Sequence, residues 1–384
     1  EVACARSGAF AAALVDGGLR IVALLAHEPR AGAPPTDQPQ LELKDLALFP
    51  RGVQHIALQR DAAPERLRLF AVGSDGALYL LELDVAAHAI SARATVAPLG
   101  PPRVLLPAGR AVRALACGAR HVLAAAASQI YSWGEGGHGA LGHGGLDDEP
   151  APRALVLPLA WIVEWRVTKV AAGGEASACV LTPRDSGEPG PRRGGVETAV
   201  LAWGTGAHLG VAAAAEPKRR QPEPASSQCV ERQLLRPTEV CALRAEQVLD
   251  LSLGDSHAVA VTLRGTAFSW GVGTSGELGE FLPSADDVAG AAASVRHRPL
   301  PARVRGLGGE ADARVVNAWC GAAITFVALE ERAGGLELVR DAVYLWGCGK
   351  TGRQHRIDDA SSASHVVGWH AARPPAPAVP DAGV

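Results

Sequence analysis

The sequence predicts an all-β fold in which small antiparallel sheets, each written by one copy of a repeat, stack into a closed array. Three observations carry this. An aromatic or aliphatic residue, one spacer and Trp-Gly recur four times, at Tyr131–Gly134, Leu201–Gly204, Phe268–Gly271 and Tyr344–Gly347. Each is preceded by a fainter phrase, an alternating run, a glycine and a second apolar run; Gly118, Gly173, Gly254 and Gly321 mark it at intervals of 55, 81 and 67 residues. Gly 44 and Pro 27 are too many for a helical protein of 384 residues and fit a chain full of turns. Repeats of this length cannot bury both faces of a sheet alone, so they must stack on one another. Closing the stack also hides strand edges that would otherwise invite aggregation.

Each unit reads as a short alternating strand, a glycine turn, an apolar strand, a hairpin and the strand that carries Trp-Gly. Ala114–Leu123, Val170–Ala178, Leu251–Val259 and Ala318–Phe326 supply the first two strands of the four clear units. Two decayed units precede them. Val2–Phe10 leads through Asp16-Gly17-Gly18 into Leu19–Ala23, and Phe70–Gly73 leads through Ser74-Asp75-Gly76 into Ala77–Leu80. Both keep a hairpin and lose the Trp-Gly tail, so six units are recognisable. Insertions are expected near 183–197, 212–237 and 282–301, within one domain over residues 1–370. The remainder, 371–384, is a Pro/Ala-rich tail expected to be extended or disordered.

Composition narrows the function classes. Hydrophobic residues are 48% of the chain but aromatics only 4%, so Ala, Val and Leu carry the core. A formal charge of −3 gives no global field for nucleic acid or anionic lipid. Lysine is confined to Lys44, Lys169, Lys218 and Lys350; the other basic residues are arginine, a skew that fits an Ala- and Arg-rich composition. Seven cysteines without a Cys-x-x-Cys pattern indicate neither a zinc ribbon nor a redox pair, and a reducing compartment is expected. Cys4, Cys117 and Cys320 share one repeat position with Ala172 and Leu253, as small buried residues would. No apolar run approaches the ~18 residues of a membrane span. The absence of an initiating methionine suggests removal of an amino-terminal segment, and a mitochondrial location is the expectation, with cytoplasm or nucleus as alternatives.

The Gly-x-x-His strand, the aromatic-x-Trp-Gly strand and the Gly-x-Leu-Gly tail resemble the repeat of the regulator of chromosome condensation family. Residues 111–144 and 248–280 carry the resemblance best, the second ending in Trp270-Gly271-Val272-Gly273-Thr274-Ser275-Gly276-Glu277-Leu278-Gly279. It implies a β-propeller of four-stranded antiparallel blades, usually seven. Only six units are visible, and Ser364–Trp369 is one candidate for part of a seventh. The tryptophans are expected between neighbouring blades and the glycines at tight backbone approaches.

Four constellations suggest chemistry, and each has a plainer reading. Gly134-x-Gly136-x-x-Gly139 matches a dinucleotide fingerprint by letter, but that motif needs a helix starting at the glycines. Gly144-Gly145 and Asp147–Pro150 follow instead and predict turns. His138, His143, Asp147, Asp148 and Glu149 could suggest a metal site, yet they lie in the ordinary end of the repeat phrase and its solvated turn. Asp255, Ser256 and His257 are adjacent on a strand end, where neighbours point to opposite faces; a histidine bonded within its own blade is expected rather than a triad. Lys218, Arg219 and Arg220 form a possible partner-binding loop, with Glu216 and Glu223 close by.

The expected function is a non-catalytic propeller scaffold, a subunit of a larger assembly whose partners are proteins or a ribonucleoprotein. No cofactor, metal or membrane span is expected. The alternatives are guanine-nucleotide exchange on a small GTPase, which the family resemblance permits, with the 183–197 loop as sole candidate wedge, and direct RNA or chromatin binding.

Overall fold

The computed structural model describes residues 2–4, 10–15, 18–23, 52–60, 66–87, 94–126, 129–158, 161, 163–184, 198–211, 232–279, 297–305, 307, 313–332, 339–347 and 355–357. They form six antiparallel sheets, each built from consecutive strands. The first holds β1 (Val2–Cys4), β2 (Phe10–Val15) and β3 (Gly18–Ala23). In the second, β4 (Val53–Arg60), β5 (Arg66–Gly73), β6 (Leu78–Ala87) and β7 (Ala94–Pro98) follow in order, and β8 (Arg103–Leu106) pairs the start of β6 as a fifth strand. The third runs through β9 (Val112–Cys117), β10 (His121–Ala126), β11 (Gln129–Gly134) and β12 (Glu149–Ala154). The fourth takes β13 (Trp165–Gly173), β14 (Glu175–Pro183), β15 (Ala199–Gly206) and β16 (Arg232–Glu239). In the fifth lie β17 (Val248–Leu253), β18 (His257–Thr262), β19 (Ala267–Val272) and β20 (His297–Arg303). The sixth has β21 (Ala313–Cys320), β22 (Ile324–Arg332), β23 (Val339–Gly347) and β24 (His355–Ile357).

From the second sheet onward, the first strand of each packs against the sheet before it: β4 on β1 and β2, β9 on β4 and β5, β13 on β9 and β10, β17 on β13 and β14, β21 on β17 and β18. The sheets are thus the blades of a β-propeller. Among the described residues the first blade shows three strands and the second five, where four are expected. Strands β16 and β20 also begin inside the insertions expected at 212–237 and 282–301, at Arg232 and His297. The candidate seventh-blade strand Ser364–Trp369 lies outside the described residues.

Alternation on the second strand of each blade divides its side chains between two seams. On β10, Val122, Ala124 and Ala126 join Phe70, Val72 and Leu78 of the second blade, while Leu123 and Ala125 join Val170, Cys179 and Leu181 of the fourth. Along β18, Ala258 and Ala260 face Ala178 and Val180 behind, and Val259 and Val261 face Val315 and Val327 ahead. Strands buried on both faces read as unbroken apolar runs, which is why His121–Ala126 and His257–Thr262 contain little else. The sixth blade differs: Thr325, Val327 and Leu329 are buried, whereas Ile324, Phe326 and Ala328 between them are half-buried, and Trp319 on β21 is 46% exposed.

The Trp-Gly phrase has a steric cause. Gly134, Gly204, Gly271 and Gly347 all have φ near +100°, a region that side chains rarely enter. A Cβ on any of them would press on the carbonyl oxygen of Arg120, Glu175, Ser256 or Ala323 respectively, where the chain enters the second strand. In three blades the ladder to the outer strand shifts register just before this residue, the outer strand taking two more residues than the Trp-Gly strand, so the glycine pairs beyond an outer-strand bulge as the chain turns into the tail.

Candidate functional sites and the seams between blades

The side chains with chemical potential are spent on joining blades. Trp203 donates its indole Nε1–H to the Ala140 carbonyl of the previous blade at 2.8 Å, Trp270 to His208 at 2.7 Å and Trp346 to Glu277 at 2.7 Å. Each acceptor is the residue before Leu-Gly in the preceding tail: Ala140-Leu141-Gly142, His208-Leu209-Gly210 and Glu277-Leu278-Gly279. The closing glycine is obligatory there. Gly142, Gly210 and Gly279 have φ of +74°, +68° and +68°, and a Cβ on each would come within 2.8 Å of the next blade's indole. Trp133 follows a blade without this tail and instead sets its ring edge-on to Phe70, centroids 5.7 Å apart. All four repeated tryptophans are buried, between 0% and 6% exposed.

The histidines of the Gly-x-x-His phrase also cross the seam, which corrects the expectation of a bond within the blade. His121 Nε2 lies 2.8 Å from Ser177 Oγ on β14, and His257 Nε2 lies 2.9 Å from Thr325 Oγ1 on β22. Those hydroxyls donate onward to the tail carbonyls that the tryptophans use, Ser177 to Ala140 at 2.7 Å and Thr325 to Glu277 at 3.0 Å. Because each hydroxyl's hydrogen goes to a carbonyl, its oxygen accepts the imidazole Nε2–H. Gly118 and Gly254 make room for these rings, since a Cβ there would run into the His121 or the His257 ring. A double-mutant cycle with His257→Ala and Thr325→Val is expected to show about 1–3 kcal/mol of coupling in urea unfolding. Additive losses would show that the imidazole acts within its own blade.

The remaining candidates scatter. Asp255 is exposed while His257 is fully buried, so no triad forms. His138 pairs with Glu175 at 2.8 Å, His143 Nε2 meets Ser132 Oγ at 3.0 Å, Asp148 accepts the Gly136 amide at 2.8 Å, and Glu149 pairs with Arg153. No group of three or more His, Cys, Asp or Glu is placed to hold a metal ion among the described residues. In the Gly134–Gly139 stretch the Gly136 amide, which a phosphate would need, is already taken by Asp148, and turns follow rather than a helix. Lys218, Arg219 and Arg220 lie outside the described residues.

Desolvation pushes the thiols of Cys179 and Cys320 up to about 12, so both are protonated fillers rather than nucleophiles. Cys117 and Cys320 are half-buried, less enclosed than the repeat position suggests. Burial lowers the pKa of His143, and Arg153 nearby adds to the shift. The neutral ring's contribution to stability is then complete above the ordinary histidine value of ~6.5 and is lost as pH falls through the lower folded value. The urea midpoint is expected to drop on mild acidification, and to drop less in His143→Gln.

Sequence reading missed a second lacing at the opposite end of three seams. A residue at or near the start of an inner strand donates its amide to the previous blade: Val112 to Gly76 O at 2.9 Å, Val248 to Thr198 Oγ1 at 2.9 Å and Val315 to Gly265 O at 3.0 Å. Across the inner strands, Lys169 pairs with Asp250 at 2.6 Å, and Asp250 also accepts the Ala318 amide at 3.1 Å. One carboxylate thus ties three consecutive blades. Among the described residues no helix is long and apolar enough to cross a membrane.

Comparison with known proteins agrees with this architecture. Residues 128–180 match the family model of the regulator of chromosome condensation (RCC1) repeat. Over 209 residues the chain is 36% identical to mouse RCC1 domain-containing protein 1, covering 49% of this chain and 51% of that protein. Over 171 residues it is 27% identical to the ultraviolet-B receptor UVR8 of Arabidopsis thaliana, covering 44% and 32%. The chain therefore spans about half or less of these relatives. The crystal structure of Kap60 bound to yeast RCC1 (Prp20) superposes with a TM-score of 0.58 over 94% of this chain and 75% of the other at 15% identity, a likeness of fold alone. With its tryptophan tails, Trp-Gly glycines and sequential blades, the chain is similar to the regulator of chromosome condensation repeat, whose family model matches residues 128–180, and shares the propeller fold of that family's solved structures.

Proposed function

We propose that this chain is a non-catalytic propeller that serves as a rigid platform for other proteins within a larger assembly. One observation carries the reading. The imidazoles and hydroxyls that the repeat supplies, His121, Ser177, His257 and Thr325, are buried and bonded across seams rather than presented to a ligand. A disc tied this way keeps its surface loops in fixed relation, which suits recognition by a broad face. Purifying the native protein from its source tests this. Recovery in a larger assembly is expected; recovery as a lone monomer contradicts it. The same preparation, mixed with small GTPases carrying labelled guanine nucleotide, tests the exchange reading: accelerated release would replace the platform with an exchange factor.

A further inference from the structure

We propose that the propeller face opposite the glycine turns docks an acidic partner segment that also carries apolar side chains. This deepens the platform reading and rests on it. Topology assembles the surface. Each inner strand enters at this face and bulges at once, with Arg113, Thr168, Leu249 and Val316 as the extra residues of the third to sixth blades. Such bulges re-aim side chains away from the ladder, and Arg113, Thr168 and Leu249 are exposed.

Arginine collects around these bulges. Arg166 and Arg314 stand two residues before theirs, and Arg110 lies in the turn that leads into β9. Arg264 sits in the hairpin whose Gly265 abuts the Arg314 backbone. Arg184, at the end of β14, donates to the Trp165 carbonyl at 3.0 Å, and Arg166 donates to Thr182 Oγ1 at 3.1 Å. Among the described residues none of Arg110, Arg113, Arg264 and Arg314 has an acidic partner. The nearby acids are Glu164, Glu246, Asp75 in the hairpin beside Arg110 and Glu330 across the strand from Arg314, the last three half-buried.

At the glycine-turn end the balance reverses. Glu135, Asp147, Asp148 and Asp255 are exposed there, with Arg120 held by Glu135 at 2.9 Å and Arg236 exposed beside Gly144. Exposed arginine without an acidic partner thus gathers at the bulge end, and exposed carboxylates at the glycine-turn end, although the chain's formal charge is only −3. Unpaired guanidiniums favour carboxylates, which they grip through two parallel hydrogen bonds. Apolar side chains stand among them: Leu249 is 48% exposed, Leu263 44% and Val163 59%. Half-buried Trp161 and Trp165 pack together nearby, ring centroids 5.2 Å apart. A phosphate backbone gains nothing from exposed leucine and valine, whereas an acidic segment with leucine or phenylalanine matches both features.

The test uses the full chain and a labelled peptide alternating glutamate with leucine, compared with polyglutamate of equal charge and a DNA duplex. Arg113→Glu and Arg314→Glu are each expected to weaken the alternating peptide about tenfold or more at low salt. Asp147→Lys on the other face should leave it unchanged, and thermal melting should show all three variants folded. Polyglutamate should bind more weakly than the alternating peptide. The proposal falls if the peptide does not bind, if the charge reversals leave its affinity intact, or if the duplex binds more tightly. It also falls if R113E and D147K both abolish self-association, because the occupant is then a second copy's acidic face. Native purification separates the two levels. An assembly that survives R113E and R314E refutes this surface and leaves the platform, whereas a monomer in every preparation refutes the platform.

Discussion

Trp203→Ala is expected to lower stability by about 3–5 kcal/mol, read as a fall in the urea midpoint with little change in slope. The indole is 0% exposed at the heart of the seam between the third and fourth blades, among Leu123, Ile130, Leu155 and Leu201. Truncation removes that apolar area and leaves a cavity between two sheets that are themselves held by backbone ladders, so the walls cannot collapse. It also removes the indole N–H from the Ala140 carbonyl, although Ser177 still donates to that oxygen. Trp203→Phe should recover most of the packing and none of the hydrogen bond, and so lose less. Trp319→Ala serves as the comparison: that ring is 46% exposed, and its loss should cost about 1 kcal/mol or less.

Gly204→Ala is expected to cost about 2–5 kcal/mol through one added methyl group. Two terms act together. At φ of +100° an alanine is strained whatever space surrounds it, and its Cβ would press on the Glu175 carbonyl oxygen, with the Ala176 Cα at 2.9 Å. Both atoms belong to the backbone at the start of β14, which is fixed to β13 and β15. Relief would have to come from the ladder itself. An alanine at the exposed Gly137, where no atom lies within 4 Å of the added Cβ, should be close to neutral by the same measurement. Equal losses at both positions would mean that the Trp-Gly glycine is not required by geometry.

The Trp-Gly phrase made the blades legible because its two residues answer to steric needs that recur at every seam. A large indole must fill the gap, and only glycine can follow it at positive φ against the backbone of the second strand. The outer strands were less legible. Residues 149–154 (Glu-Pro-Ala-Pro-Arg-Ala) and His297–Arg303 carry prolines and hold no fully buried residue, so they read as loop; an edge strand tolerates such residues on its open side. The expected insertions accordingly overran β16 and β20. The histidine partner was illegible for a different reason. Thr325 is 68 positions from His257, and nothing local to either announces a bond between blades. The arginine face was hidden in the same way, since its members come from separate repeats and reach one surface through bulges that only strand pairing reveals.

Hydrogen exchange of the indole N–H groups, followed by NMR with 15N-labelled tryptophan, probes the seam directly. Trp203, Trp270 and Trp346 should exchange only through global unfolding, at rates that track the stability measured in urea, while Trp319 exchanges freely. Fast exchange of Trp203, Trp270 and Trp346 would contradict a fold in which each of these indoles is locked to the tail of the blade before it.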